Sequence, residues 1–537
     1  MKETIHQVYL KAITKNRRFM KNYTKLSATA ILLFIVCVAA NAQAKKEITT
    51  VKVEEQKDTT VVYKKPQKSV TYGSVTVEGT RINYRAIAGT LVLKDKMDSP
   101  TISMSYIAYF KQDDDASKRP ITFIYNGGPG SSTIWLHMGA WGPQRVYLND
   151  TTRTKPPYKT VNNDYSLLDV SDLVFVDAPG TGFGKIITEK MGGTGNPKDF
   201  YGVDEDGAAF ANFITDFITH YNRWNSPKYL FGESYGTFRS AVVADLLETR
   251  HNVNLNGVIL LSQLLTFENM SDIAKSHPGN DLPYILALPS FAATAWYHHK
   301  VPNQPPQLEP FLKQAEDFAM HEYTLALTQG SLLSQADFNA TAEKLHNFTG
   351  LPVSYIRKAN LRVDGPQFEQ ALLGDSSQVT GRLDSRFAGD AIDPLSERPE
   401  YDPMDSYIDA AFTATFNNYV RTQLNFGGDM PYKVYGEVNP WDFRRSKQSG
   451  SYANVMPDLA EAMVYNPDMK VMLNMGYFDL GTPYFEGEYE MHHLPMPASL
   501  QKNIEYDLYK SGHMVYLHPE SLKELHDNVV RFIKASL

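Results

Sequence analysis

The sequence predicts an α/β architecture: a mainly parallel central sheet flanked by helices, preceded by antiparallel strands and interrupted by a largely helical cap insertion. Three observations predict it. Residues 74–110 alternate apolar and polar positions at period two. Short apolar runs then alternate with helical periodicity from Ile121 to Leu261, which is the rhythm of strand, helix and strand in a parallel sheet. After Leu261 the pattern lapses for about 170 residues of Pro-rich loops and helical stretches before it returns near Leu459.

The elements follow in order. Ile102, Met104, Tyr106, Ala108 and Phe110 fall on one face of a strand, and Glu78-Gly79 and Ala88-Gly89 mark turns on the way to it. Ile121 to Tyr125 is a buried strand that stops at a Gly-rich turn, Leu173 to Val176 is a second and Lys228 to Phe231 a third. Between the last two, Phe210, Phe213, Ile214, Phe217, Ile218 and Tyr221 form the apolar stripe of an amphipathic helix, so the strands it joins should be parallel with a right-handed crossover. Gly257 to Leu261 reads as another strand. Within the insertion, Pro302 to Pro310 is a loop, and Gln314 to Leu327 and Gln335 to Leu345 are helical. A helix around Leu459 to Val464, a strand at Lys470 to Leu473 and a last helix with Leu522, Leu525, Val529, Phe532 and Ile533 on one face complete the core. The resulting organisation is a signal peptide at 1–42, an arm or linker at 43–70, core at 71–264, a cap insertion at 265–435 and core again at 436–537. The insertion is expected over the carboxyl edge of the sheet, where open α/β sheets bind ligands.

Length and composition agree with a large folded core: 537 residues, 42% hydrophobic and 12% aromatic. The formal charge is −7 with both signs mixed along the chain, so no basic stripe exists to neutralise phosphates and nucleic acid is not an expected partner. A basic stretch from Lys11 to Lys25 precedes an apolar run, Ala28 to Ala40, and small residues at Ala40-Asn41-Ala42. That is the pattern of a cleaved export signal, giving a periplasmic or secreted protein with no membrane attachment after cleavage; an uncleaved amino-terminal anchor is the alternative. The one cysteine, Cys37, lies inside the apolar run, so the processed chain has neither disulfides nor a Cys nucleophile.

Chemistry concentrates in three places. Phe231-Gly232-Glu233-Ser234-Tyr235-Gly236-Thr237 carries Gly-x-Ser-x-Gly between a strand and a helical segment. A strand-to-helix turn that sharp strains its Ser, and side chains at the flanking positions would collide. A Ser nucleophile needs a base and an orienting acid, which in such sheets follow at the ends of later strands. Asp479 lies just beyond the strand that begins at Lys470, and His513 follows Ile504 to Tyr509 ahead of the last helix. Asp479 as a turn cap and His513 as a surface residue are the competing readings of either one alone; order and context together favour catalysis. Acyl transfer also needs N–H donors for an oxyanion, for which Tyr235 and the glycine loop Asn126 to Ser132 are the candidates.

Taken together these blocks resemble the serine carboxypeptidase family, with its α/β-hydrolase fold, in a bacterial-type member. The matching residues are Asn126 to Ser132, Phe175 to Phe183, Gly232 to Gly236, and Gly512-His513-Met514 with Asp479 upstream. The resemblance implies Ser234 as nucleophile, His513 as base and Asp479 as its orienting acid. It implies Gly128 and Tyr235 as oxyanion donors, and Asn126 and Glu233 as the grip on the free terminal carboxylate of a peptide substrate. A carboxylate beside Glu233 requires that one of the two be protonated, so peptide hydrolysis is expected to favour acid pH. The chain departs from the family where an acidic partner for that Glu usually stands in a Glu-x-Gly-Pro segment: here it reads Ala140-Trp141-Gly142-Pro143. It also has Ser131 where Cys is common and Tyr125 where Trp is common.

Other readings remain. The same three side chains serve an esterase or an acyltransferase, and a non-catalytic binding protein on this fold is a further alternative. No cofactor or metal is expected. His298-His299 and His492-His493 lack ligand spacing, and Gly180 to Gly184 has the spacing of neither a dinucleotide nor a phosphate loop. The sequence sets no oligomeric state.

Overall fold

A computed structural model describes residues 63, 65–447 and 452–537. The signal-peptide reading of 1–42 and most of the arm reading of 43–70 lie outside the described residues. All elements named below belong to one unit, Thr60–Leu537.

Nine strands form the main sheet: β1 (Lys68–Val77), β2 (Thr80–Lys94), β3 (Pro100–Lys111), β4 (Ile121–Tyr125), β5 (Asp172–Val176), β6 (Lys228–Glu233), β7 (Gly257–Leu261), β8 (Lys470–Gly476) and β9 (Ile504–Tyr509). Their order is β1-β2-β3-β5-β4-β6-β7-β8-β9, with the two-residue strand Lys185–Ile186 added beside β3. The first three are antiparallel, β3 meets β5 antiparallel, and from β5 onward all neighbours are parallel. This is the predicted α/β-hydrolase arrangement. The principal helices are α1 (Val203–His220), α2 (Tyr235–Thr249), α3 (Leu282–Tyr297), α4 (Leu308–Phe318), α5 (Gln335–Thr349), α6 (Pro403–Thr422), α7 (Met456–Tyr465), α8 (Tyr484–His492) and α9 (Pro519–Ala535).

The two faces of the sheet are covered separately, as a sheet buried on both sides requires. Phe210, Phe213, Ile214 and Phe217 of α1 pack on one face with Ile102, Met104, Tyr106, Ala108 and Phe110, and α2 and α7 join them there. On the other face lie Leu522, Leu525, Val529, Phe532 and Ile533 of α9, together with Ile107 and Tyr109 of β3. The turn at Glu78-Gly79 has positive φ at both residues, as a tight hairpin demands.

Ala88-Gly89, in contrast, is no turn: both residues lie inside β2, with Gly89 opposite Lys68 on one side and Tyr106 on the other. A Cβ at Gly89 would stand 2.6 Å from the Gln67 carbonyl oxygen, so this glycine answers a close backbone approach rather than a chain reversal. Lys68 is already strand, within the stretch read as an arm.

Between β7 and α7, the helices α3, α4 and α5 bury their apolar residues in the same cluster as α1 and α2. Helix α6 does something different. Its Met404, Ile408, Phe412, Phe416 and Tyr419 pack on the opposite face, with Phe412 5.0 Å from the Trp135 ring and Phe416 5.7 Å from that of His137. Chain read as insertion up to residue 435 thus contributes to the core from Pro403 onward. Among the described residues no helix is long and apolar enough to cross a membrane.

One buried ion cluster ties the amino-terminal edges of the strands together. Asp172, at the start of β5, accepts from Arg119 Nε at 2.8 Å, from Arg223 Nη1 at 2.6 Å and from the Lys111 amide at 2.9 Å. All three charged side chains are buried. Replacing Asp172 by Ala would leave the buried Arg223 guanidinium without a counter-charge and Arg119 with only Asp114, at 3.3 Å, and is expected to cost about 3–5 kcal/mol of stability in a urea titration.

Candidate active site

Ser234 sits between β6 and α2 at φ 60°, ψ −132°, a conformation that non-glycine residues seldom adopt and that the surrounding structure must hold. The flanking glycines are what make the turn possible. A Cβ on Gly232 would lie 2.2 Å from the Gly236 carbonyl oxygen, and one on Gly236 would lie 2.9 Å from the Tyr125 carbonyl oxygen. The turn hangs from the neighbouring strand through the Ser234 amide, which donates to Leu261 O at 3.0 Å. The next residue, Ser262, donates its hydroxyl to the His513 carbonyl at 2.6 Å. The loops after β6, β7 and β9 are thereby fixed to one another.

Asp479 follows β8 and is fully buried. Its Oδ1 accepts the amides of Gly481 (2.9 Å) and Thr482 (3.0 Å), and its Oδ2 accepts the Thr482 hydroxyl at 2.6 Å. The same Oδ2 lies 2.6 Å from His513 Nδ1. An ionised carboxylate has only lone pairs to offer, so Nδ1 carries the proton and Nε2 is left as the basic nitrogen. Burial works against the imidazolium, but the charge and hydrogen bond of Asp479, with Glu233 assisting, outweigh it and raise the His513 pKa. The structure thus brings Asp479 and His513 together, and Ser234 stands partly buried at the end of β6, across β7 from them, with no hydrogen bond from its hydroxyl to the imidazole. Such a bond commonly tightens only when substrate is present.

The loop after β4 lies directly on the Ser234 turn. A Cβ on Gly127 would be 2.4 Å from the Tyr235 amide nitrogen and 2.7 Å from that of Gly236. Tyr235 opens α2, so its N–H has no helical acceptor and lies at the positive end of the helix. Gly128, at φ 110°, occupies a backbone state that suits glycine. These are the two N–H groups the sequence nominates as oxyanion donors.

Asn126 donates from Nδ2 to Glu233 Oε1 at 2.8 Å, while its own Oδ1 accepts the Leu136 amide at 3.0 Å. Its carbonyl accepts from Arg239 Nη1 at 2.7 Å. Arg239, buried and paired with Asp206 at 2.6 Å, therefore sets where Asn126 stands. Glu233 is 2% exposed and its Oε2 has no hydrogen-bond partner. Burial pushes its pKa up to about 7, against the pull of His513, Tyr516 and Asn126. Near neutral pH Glu233 can therefore be a proton donor, a state open to few carboxyl groups.

Sequence reasoning missed three contributors. Leu383 O accepts the His513 amide at 2.6 Å and Arg382 O accepts that of Leu480 at 3.0 Å, so one stretch of the insertion holds both the His and the Asp loops. Tyr516, three residues beyond His513, directs its hydroxyl toward Glu233 and Asn126. Backbone bonds and a single Tyr leave no pattern in sequence. As for metal, Glu78, His526 and Asp527 bring ligand atoms within 4.8 Å of one another. Lys523 pairs with Asp527 at 2.6 Å, and Asp169 lies 3.5 Å from His526, so two of its three members already have partners. His298 is bonded to Ser385 O and His493 to Tyr489 O.

A family model described as serine carboxypeptidase matches residues 84–513. Serine carboxypeptidase-like 33 of Arabidopsis thaliana is 30% identical over 153 residues, covering 27% of this chain and 30% of that protein. A carboxypeptidase Y homolog of Arthroderma benhamiae is 28% identical over 163 residues, covering 30% of this chain and 29% of that one. The alignments span less than a third of the length of these curated relatives.

Proposed function

Because the chain belongs to the serine carboxypeptidase family, we propose that it removes carboxy-terminal residues from peptides through an acyl-enzyme on Ser234. In this reading the Ser234 hydroxyl attacks the terminal peptide carbonyl while His513 Nε2 takes its proton. Asp479 holds the imidazole tautomer and offsets its developing charge. The amides of Gly128 and Tyr235 receive the oxyanion. His513 then protonates the leaving amine, and water resolves the ester by the same route.

The observation that carries the exopeptidase reading is Glu233: a buried carboxyl group next to the strained Ser234, with one oxygen bonded to Asn126 and the other open. Protonated, it can donate from Oε2 to a substrate carboxylate. An internal peptide bond or a carboxy-terminal amide offers only a neutral carbonyl oxygen, a weaker acceptor than a carboxylate. The expected result is a strong preference, in kcat/KM, for a free-acid peptide over its carboxy-terminal amide; equal rates would favour the esterase or acyltransferase reading of the same side chains.

The pH dependence follows from the same group. Glu233 binds a carboxylate only while it holds its proton, and that proton is lost as pH rises through about 7. KM for free-acid peptides is expected to climb above that pH, whereas esters without a free carboxylate should show no such limb. His513 must be unprotonated to act, and its raised pKa places a second, acid limb on kcat for both substrate types. Export through the segment 1–42 is also proposed; a mature amino terminus near residue 43, read by mass spectrometry of protein recovered outside the cytoplasm, is the matching observation.

A further inference from the structure

Ala140 stands where the family resemblance implies a second acid beside Glu233, and the side chain packed against its turn is Tyr516. Ala140 lies in a single buried helical turn, Leu136–Trp141. The ring of Tyr516 packs against the preceding residue so closely that a Cβ on Gly139 would stand 2.5 Å from its Cε2 and 2.7 Å from its Cδ2. Phe412 of α6 closes the other side, 3.1 Å from the same point. The ring is thus fixed between the loop after β4 and helix α6, with its hydroxyl aimed at Glu233 and Asn126.

Two polar atoms are left open at this spot. The Tyr516 hydroxyl and Glu233 Oε2 both belong to residues more than nine-tenths buried; they lie within reach of one another, yet neither meets full hydrogen-bond geometry. Buried polar atoms are normally paired, and unpaired ones beside a nucleophile point to a ligand that supplies the missing partner. The groups that act most strongly on the hydroxyl are Glu233, Asn126 and Tyr435. Burial together with the Glu233 charge holds the phenol far above its ordinary pKa, so it remains a neutral donor.

We propose that Tyr516 is a substrate-binding residue whose hydroxyl donates to the terminal carboxylate of the peptide, taking the place of the acid that Ala140 does not provide. One carboxylate oxygen would accept from Glu233 Oε2 and the other from the Tyr516 hydroxyl, while Asn126 keeps Glu233 turned the right way through Oε1. A neutral phenol does not titrate in the working range. Recognition of the carboxylate therefore depends on one proton, that of Glu233, rather than on a proton shared within an acid pair. The inference rests on the carboxypeptidase reading and assigns it a residue.

The test compares wild type with Tyr516→Phe on a blocked dipeptide and on its carboxy-terminal amide, across pH 5 to 9. Phe keeps the ring against Gly139, and removing a hydroxyl that makes no well-formed hydrogen bond in the free protein should leave the thermal melting temperature nearly unchanged. The expected result is a KM for the free acid raised about tenfold or more, the usual loss for one hydrogen bond to a charged group. The preference for acid over amide should fall by the same factor, with the alkaline limb still near the pH of wild type. An unchanged KM for the free acid, in an enzyme whose wild type prefers it, overturns the role of Tyr516 and leaves the carboxypeptidase reading intact. Equal losses on acid and amide, or a lowered melting temperature, overturn it as well by marking the hydroxyl as structural. A wild type that does not distinguish acid from amide overturns both, and does so before the variant is made.

Discussion

Ser234→Ala is expected to lower kcat by at least about 10⁴-fold and to abolish covalent labelling by a fluorophosphonate, with KM changed by no more than a few-fold. Ala has the same Cβ as Ser, so it meets the same steric demands at φ 60° and asks nothing new of Gly232 or Gly236. The hydroxyl carries no hydrogen bond to the fold, so its loss removes the nucleophile and little else. The Tyr235 and Gly128 amides stay where they are, which is why some rate above solution should survive. His513→Ala is expected to cost about as much, and the double variant no more than either alone, because a base without a nucleophile has nothing to activate. Turnover of a chromogenic peptide by each variant, alongside labelling, checks the set.

How much of this was legible beforehand depended on whether a feature is local. Part of the Gly232 to Gly236 turn is local: a Cβ on Gly232 would stand 2.2 Å from the Gly236 carbonyl oxygen, four residues on, whereas Gly236 answers to the Tyr125 carbonyl oxygen of β4, 2.9 Å from where its Cβ would be. Strands β4 to β9 were legible for a related reason, since burial on both faces leaves continuous apolar runs. Gly89 misled because a glycine that admits the Gln67 carbonyl looks, in one dimension, like a glycine that turns the chain. The carboxyl end of the insertion was hidden for a different reason. The apolar stripe of α6 records that the helix is buried, but not that its partners are Trp135, His137 and the far face of the sheet. His137 shows the same limit: burial pushes its pKa down to about 3, and its ring nitrogen pairs with the Tyr109 hydroxyl at 2.8 Å, so it is a packed neutral group although histidine so often signals function. Tyr516 is the extreme case, because its meaning rests on an absence at position 140 and on a glycine at 139 that gives its ring room.

Asp479→Asn is the more demanding test of the site, because it changes almost no volume. Each Asp479 oxygen accepts twice: Oδ1 takes the Gly481 and Thr482 amides, and Oδ2 takes the Thr482 hydroxyl and the His513 ring. None of these four positions accepts an added donor without conflict. If the Asn amide group took the Oδ1 position, two backbone N–H groups would face an NH₂. If it took the Oδ2 position, it would face His513 Nδ1 and force the imidazole to accept there, moving the ring proton to Nε2, where it blocks removal of the Ser234 proton. The backbone amides cannot reorient, being held by the turn that follows β8, whereas the imidazole can exchange its tautomer. The second arrangement therefore prevails. The expected outcome is a fall in kcat of about 10⁴-fold at neutral pH with the fold intact, as tautomer reversal produces in other Ser-His-Asp sites. Activity should recover in part as pH rises, because hydroxide can then stand in for the lost base, and a pH–rate profile of the variant reads that slope directly. A variant that keeps most of its activity would mean that His513 works without Asp479, and that the 2.6 Å contact between them belongs to the scaffold and not to the chemistry.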